Sequence, residues 1–292
     1  MARLRAPSPG DVTMPHTEQP TLDAIGLCCA RIDAMCADLD ADRWHAPTAC
    51  PGWNVQDVVA HLGSLEALLL GHEEPFHEPP HVAYVHNELG ALNERLVDRR
   101  RSWTGEQVLD EFREMSGLRL EALASLPQEE LETLVPAPTG GVVPLRRFLG
   151  IRLWDYVVHE MDIAEALDNP HDLENPGPRR VLDELLLLLP RAAARGGLGE
   201  GRLLSLEVLP PLPRVLHVRV EGGGGVVADD PAEASGPAGG EAALHLRASP
   251  TVLLRVGMGR RPAEAAIQAG DPAVRGDAGL GASILRALNV VP

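Results

Sequence analysis

Asn54-Val55-Gln56-Asp57-Val58-Val59-Ala60-His61-Leu62-Gly63-Ser64-Leu65-Glu66-Ala67-Leu68-Leu69 reads as a helix whose apolar stripe carries a histidine. Asn54 offers an N-cap oxygen, and Asp57 at the N3 position is placed to complete a carboxylate form of the capping box. Val58, His61, Leu62, Leu65, Leu68 and Leu69 then follow one helical face until Gly71. His61 stands in the middle of that stripe. Upstream, Pro47, Pro51 and Gly52 punctuate a connector from Arg43 to Trp53.

Working outward, the same periodicity recurs. Thr21 can cap a first helix, in which Leu22, Ile25, Cys29, Ile32, Cys36 and Leu39 share a face, ending near 40–42. Residues 72–82 are rich in His, Glu and Pro and read as a loop. Helical patterns cover 84–101 and 104–125, the second opening on a Thr104/Gln107 capping box. A proline- and glycine-rich stretch over 127–143 reads as a long connection. A fourth long helix runs from Pro144 to Ala166, with proline at its first turn, and another covers 178–195. After Gly196 the texture changes. Leu203–Val208, Val215–Val220 and Ala243–Arg247 alternate like strands. The glycine-rich stretch 221–240 reads as a hairpin turn or mobile loop. Ser249 caps a helix over 250–257, and Asp277 opens a last one ending at Leu288. The expected fold class is α+β: a disordered leader over 1–20 (with Met14 as an alternative start), a helical bundle over 21–196, a boundary near 196–201, and a small α+β domain over 201–292.

The 292 residues are 45% hydrophobic but only 3% aromatic, so aliphatic side chains and alanine must fill the core. The net charge is −16, and every positive side chain is arginine. So acidic a chain has little attraction for phosphate backbones or anionic membrane surfaces. Cys28, Cys29, Cys36 and Cys50 form no CxxC pair and read as reduced thiols of a cytoplasmic protein. No apolar run is long enough to span a bilayer.

Asp155 and His159 lie four residues apart on the fourth helix, which puts both on one face. With His61 on another helix, they form the pattern by which bundle cores assemble metal sites. Two imidazoles and a carboxylate suit zinc with one open position, or non-haem iron with several. Spacing alone leaves other readings open: a hydrogen-bonded core histidine for His61, and a surface ion pair for Asp155 and His159.

The segment Trp44…Pro47-Thr48…Cys50-Pro51-Gly52-Trp53-Asn54-Val55-Gln56-Asp57…His61-Leu62 resembles the first motif of the mycothiol-dependent maleylpyruvate isomerase family, within the DinB-like superfamily of four-helix metalloproteins. Trp154-Asp155…His159…Asp162 is similar to the second motif, a carboxylate followed by histidine and then aspartate. Gly257-Met258-Gly259-Arg260-Arg261, with Gly270-Asp271 and Leu285…Leu288-Asn289, is similar to the ending of the C-terminal domain. The resemblance implies a DinB-like four-helix bundle in which His61, Asp155 and His159 are the ligands of a divalent metal, zinc being expected. The family's carboxylate is usually glutamate, so Asp155 is one methylene short. Asp162 is placed to orient an imidazole or to bond to backbone or arginine, and Glu160 faces away as a structural or exposed residue.

The resemblance further implies mycothiol as thiol cofactor or cosubstrate and an electrophilic small molecule as its partner. The thiolate adds to an activated double bond; rotation and expulsion give cis–trans isomerisation, whereas a lasting adduct makes the protein a mycothiol S-transferase in detoxification or secondary metabolism. Arg260 would bind an anionic group as catalytic and cofactor-binding residue, and Arg261 is an equal claimant. An interdomain or surface ion pair is the competing reading for both. Two other readings are hydrolysis by bound hydroxide and a non-catalytic ligand-binding or regulatory module that keeps the fold. A monomer or homodimer is expected. His72, His77, His81 and His86 read as solvated loop residues, and Cys50 as a packed or loop-positioning cysteine.

Overall fold

A computed structural model of the chain describes residues 19–138, 140–228 and 244–291. The chain separates into two compact units between His171 and Asp172. The first holds α1 (Gln19–Cys36), α2 (Ala41–Trp44), α3 (Val55–Leu69), α4 (Glu88–Asp98), α5 (Gly105–Ala124), a 3-10 turn (Gln128–Glu132), β1 (Leu134–Pro136), β2 (Val142–Pro144) and α6 (Leu145–Ala166). α1, α3, α5 and α6 form the bundle, with α1 against α5 and α6, and α3 against α4, α5 and α6. Most of the expected leader lies outside the described residues, and α1 begins at Gln19.

Local signals explain where the helices start. Asn54 accepts from the Asp57 N–H, and the Asp57 carboxylate accepts from the Asn54 N–H, so the capping box before α3 is complete. The Thr104/Gln107 box before α5 is complete as well. Along α3 a Cβ added at Gly63 would meet the Phe112 Cα at 3.0 Å, so glycine lets α3 and α5 approach closely. The stretch 127–143 is more ordered than a plain connection. It contains the 3-10 turn and a short antiparallel hairpin in which Val135 faces Val143. Pro136 and Pro144 sit at the ends of the two strands, where proline is tolerated.

The second unit holds a five-stranded sheet in the order β5-β4-β3-β6-β7, made of β3 (Leu203–Val208), β4 (Arg214–Glu221), β5 (Gly224–Ala228), β6 (Leu244–Ala248) and β7 (Ala273–Gly276). β3 and β6 run parallel; the other neighbours are antiparallel. Its helices are α7 (Pro176–Leu186), α8 (Leu189–Arg195), α9 (Pro250–Gly257), α10 (Ala263–Gln268) and α11 (Ala278–Leu288). The expected caps are present: Ser249 accepts from the Val252 N–H and Asp277 from the Leu280 N–H. The part of the expected hairpin turn or loop beyond residue 228 lies outside the described residues.

Two expectations are corrected here. The single helix over 178–195 is two, broken at Leu187-Leu188, with Pro190 in the first turn of α8. Proline has no N–H to give and clashes with the preceding turn, so the helix restarts. The boundary falls at 171/172 rather than near 196–201, because α7 and α8 belong with the sheet. α8 packs on β4, β5 and α11, and α7 packs on α9. A Cβ at Gly225 would lie 1.9 Å from the Pro190 carbonyl oxygen, which shows how closely β5 meets the start of α8.

Candidate metal centre

α3 and α6 pack together in the first unit, and His61 on one faces Asp155 and His159 on the other. His61 and His159 are buried, at 2% and 4% exposure. The Asp155 side chain is 27% exposed, so the centre opens on its side. His61 Nε2 lies 3.3 Å from Asp155 Oδ2, and His159 Nε2 lies 3.5 Å from Asp155 Oδ1. One ligand atom from each of the three residues falls within 4.8 Å of the other two. Donors around a tetrahedral ion with bonds of about 2.1 Å stand about 3.4 Å apart. The donor set and its spacing therefore fit a divalent cation.

The surroundings hold these groups in place. His159 Nδ1 lies 3.2 Å from Asp162 Oδ2, an ionic contact without hydrogen-bond alignment. Asp162 is completely buried. His61 Nδ1 is buried with no hydrogen-bond partner among the described residues. The Trp53 ring stands against both imidazoles, with centroids 5.1 Å from His61 and 6.0 Å from His159. Trp53 is itself fixed, since its indole N–H donates to Glu94 Oε2 at 3.0 Å. Glu94 also accepts from Tyr84 and Arg101, and Arg101 reaches the Asp57 carboxylate of the capping box at 3.1 Å. Gly52 makes this possible. Its φ of +79° closes the turn before Trp53, and a Cβ there would overlap the Tyr84 ring.

A second charged group lies behind Asp155. Arg152 donates to Asp155 Oδ2 through Nη1, and to Glu66 Oε1 through Nη2 at 2.6 Å and Nε at 3.2 Å. Tyr156 donates to the same Glu66 oxygen at 3.0 Å, while Arg119 Nε stands 3.5 Å from Oε2. Glu66, Arg119 and Arg152 are all buried. Burial alone would raise the Asp155 carboxyl, but the Arg152 guanidinium and the two imidazoles hold it well below the usual carboxylate range. Burial lowers His61 despite Asp155, whereas burial of His159 is outweighed by Asp155 and Asp162, which raise it.

The structure thus brings His61, Asp155 and His159 together. Arg260 and Arg261 belong to the second unit, in the turn after α9, one half-buried and the other exposed. Glu160 is not exposed; it is 2% accessible and pairs with Arg31 at 2.8 Å. His77 bonds to Asp98 at 2.7 Å. The Cys50 backbone N–H donates to Thr48 Oγ1 at 3.2 Å. Sequence reasoning missed Glu66, Arg119 and Arg152. The signal was present: Glu66 follows Leu62 by four residues and Arg152 precedes Tyr156 by four, placing charges on faces that are otherwise apolar.

Residues 25–164 match the family model described as the mycothiol maleylpyruvate isomerase N-terminal domain. Two solved structures share the fold: the mycothiol-dependent maleylpyruvate isomerase, with a TM-score of 0.53, and a histidine-to-alanine mutant of the mycothiol-dependent maleylpyruvate isomerase, with a TM-score of 0.52. Each is 16% identical, and each match covers 82% of this chain and 88% of the other. Among curated proteins none matches. The matched stretch carries α3 and nearly all of α6, and so the whole cluster of His61, Asp155 and His159.

Proposed function

We propose that the protein is a divalent-metal- and mycothiol-dependent enzyme of the maleylpyruvate isomerase type, acting on an electrophilic small molecule with an activated double bond. One observation carries this reading: one donor atom from each of His61, Asp155 and His159 falls within 4.8 Å of the other two, with the imidazole Nε2 atoms 3.3 and 3.5 Å from the two oxygens of one carboxylate. A zinc ion bound there would lower the pKa of a thiol and so supply thiolate at neutral pH.

The chain's own residues have separable tasks in this reading. His61 and His159 give neutral nitrogen donors and Asp155 an anionic oxygen. Asp162 orients the His159 ring. Trp53 closes one side of the imidazole pair, so small molecules arrive from the side of Asp155. On the resemblance alone, Arg260 would bind an anionic group of the substrate, with Arg261 as its rival. The reading places the protein in the cytoplasm, in keeping with four cysteines that form no disulfide among the described residues. No helix among the described residues is long and apolar enough to cross a membrane.

The test combines metal analysis of the purified protein with turnover of a panel of electrophiles in the presence of mycothiol. The expected result is one metal ion per chain and thiol-dependent cis–trans isomerisation, lost in His61→Ala. A persistent adduct would identify an S-transferase instead. A non-catalytic module of the same fold is the second reading, favoured by Arg152, which already neutralises Asp155. A chain without stoichiometric metal, and with no thiol-dependent turnover, would establish that second reading.

A further inference from the structure

We propose that Arg152 is the resident counter-cation of Asp155, which a metal ion must displace, so that Arg152 and Glu66 together set how tightly the centre takes its ion. The proposal rests on the metal reading above and concerns the regulation of that site. Arg152 occupies the same carboxylate oxygen, Asp155 Oδ2, that lies 3.3 Å from His61 Nε2. An oxygen already bonded to a guanidinium has less electron density to give, and the guanidinium's charge repels a dication beside it. Arg152 is buried, so water does little to screen that repulsion.

Arg152 also has somewhere to go. Its Nε and Nη2 are already on Glu66, and only Nη1 is on Asp155. Releasing Asp155 therefore leaves Arg152 paired. Glu66 is the counterweight: it accepts from Arg152 and Tyr156 and faces Arg119, whose Nη1 has no hydrogen-bond partner among the described residues. These three ionised residues carry one excess positive charge beside Asp155. The shorter carboxylate fits this arrangement, because Asp155 lies only three residues from Arg152, within direct reach on the same helix face. Arg152 is thus a positioning residue, and it acts through Asp155.

The experiment is a chelator-buffered cobalt(II) titration, read by the visible absorption of the bound ion, on the full chain and three variants. Arg152→Met should bind cobalt roughly tenfold or more tightly than wild type, since the competing charge is gone. The packing should survive, because Glu66 keeps Arg119 and Tyr156. Arg152→Gln gives the same comparison if methionine disturbs the contact of Arg152 with the Tyr156 ring. Glu66→Gln should bind roughly tenfold more weakly, as Arg152 is then left to Asp155 alone. A purely structural role would weaken binding in all three. Wild type that binds cobalt, with folded Arg152 variants that bind it no more tightly, overturns this proposal and leaves the metal reading standing. Absence of binding in wild type and in every variant overturns both. Binding only in the Arg152 variants supports the proposal and shows the native centre to be blocked.

Discussion

Asp162 Oδ2 lies 3.2 Å from His159 Nδ1, on the side of the ring away from Asp155. The buried carboxylate attracts the ring by charge rather than through an aligned hydrogen bond, and Nε2 is the nitrogen that faces the centre. Such partners are commonly worth 10–100-fold in metal affinity. Asp162→Asn should therefore weaken zinc binding by about that factor. Isothermal titration with zinc checks it, and an unchanged affinity would reduce Asp162 to a packing role.

Asp155 spans the distance to both histidines with one methylene less than the glutamate of the resembled family. Lengthening it carries the carboxylate further beyond Arg152 and towards the opening. Asp155→Glu should bind zinc at least as tightly as wild type, whereas Asp155→Ala should lose binding to the level of two isolated imidazoles. The same titration separates them. A glutamate variant that binds like the alanine variant would mean that the backbone of α6 is set for aspartate alone.

This part of the molecule was largely legible in the sequence, for a physical reason. α3 and α6 are long, uninterrupted helices, so the relative positions of Asp155 and His159 on one face, and of His61 beside Val58 and Leu65, follow from helical spacing even though α6 is buried almost all round from Tyr156 to Ala164. The Asn54 cap fixed where α3 starts. Elements set by tertiary contact were not legible. The Leu185–Leu189 run looks continuous in sequence, yet the helix breaks inside it and both halves turn their apolar faces to the second unit. The four-residue β7 and six-residue α10 are too short to carry a period. The Glu66–Arg152 pair was hidden for another reason: 86 residues separate its members, and only packing brings them together.

Trp53 links the centre to α4 through Glu94. Trp53→Phe removes the indole N–H but keeps a ring against the histidines, and Glu94 retains Tyr84 and Arg101. Its cost should be about 1 kcal/mol, one hydrogen bond's net worth. Trp53→Ala also opens a cavity beside His61 and His159 and should cost about 3–5 kcal/mol. Urea unfolding measures both. Equal losses would mean that the hydrogen bond, rather than the ring, holds the site.

Cys36 ties stability to alkaline pH. It is 1% exposed at the end of α1, and burial pushes its thiol from 9.0 up to about 12, with Asp33 adding to the effect and Arg113 opposing it. A raised folded pKa favours the neutral thiol. The contribution is therefore fully present below pH 9 and is lost as pH climbs towards 12, because the unfolded chain ionises first. Cys36 alone should make unfolding easier by roughly a factor of ten per pH unit across that window, and Cys29, which burial also pushes up to about 12, adds a slope of its own. Cys36→Ala creates a small cavity and lowers stability at pH 7, but should remove the Cys36 share of this slope. Comparing urea midpoints of the two proteins at pH 7 and pH 10 tests it. Parallel losses in both would place the alkaline sensitivity elsewhere. The same burial keeps Cys36 protonated and enclosed, so it should resist alkylation by iodoacetamide at pH 8 until the bundle unfolds.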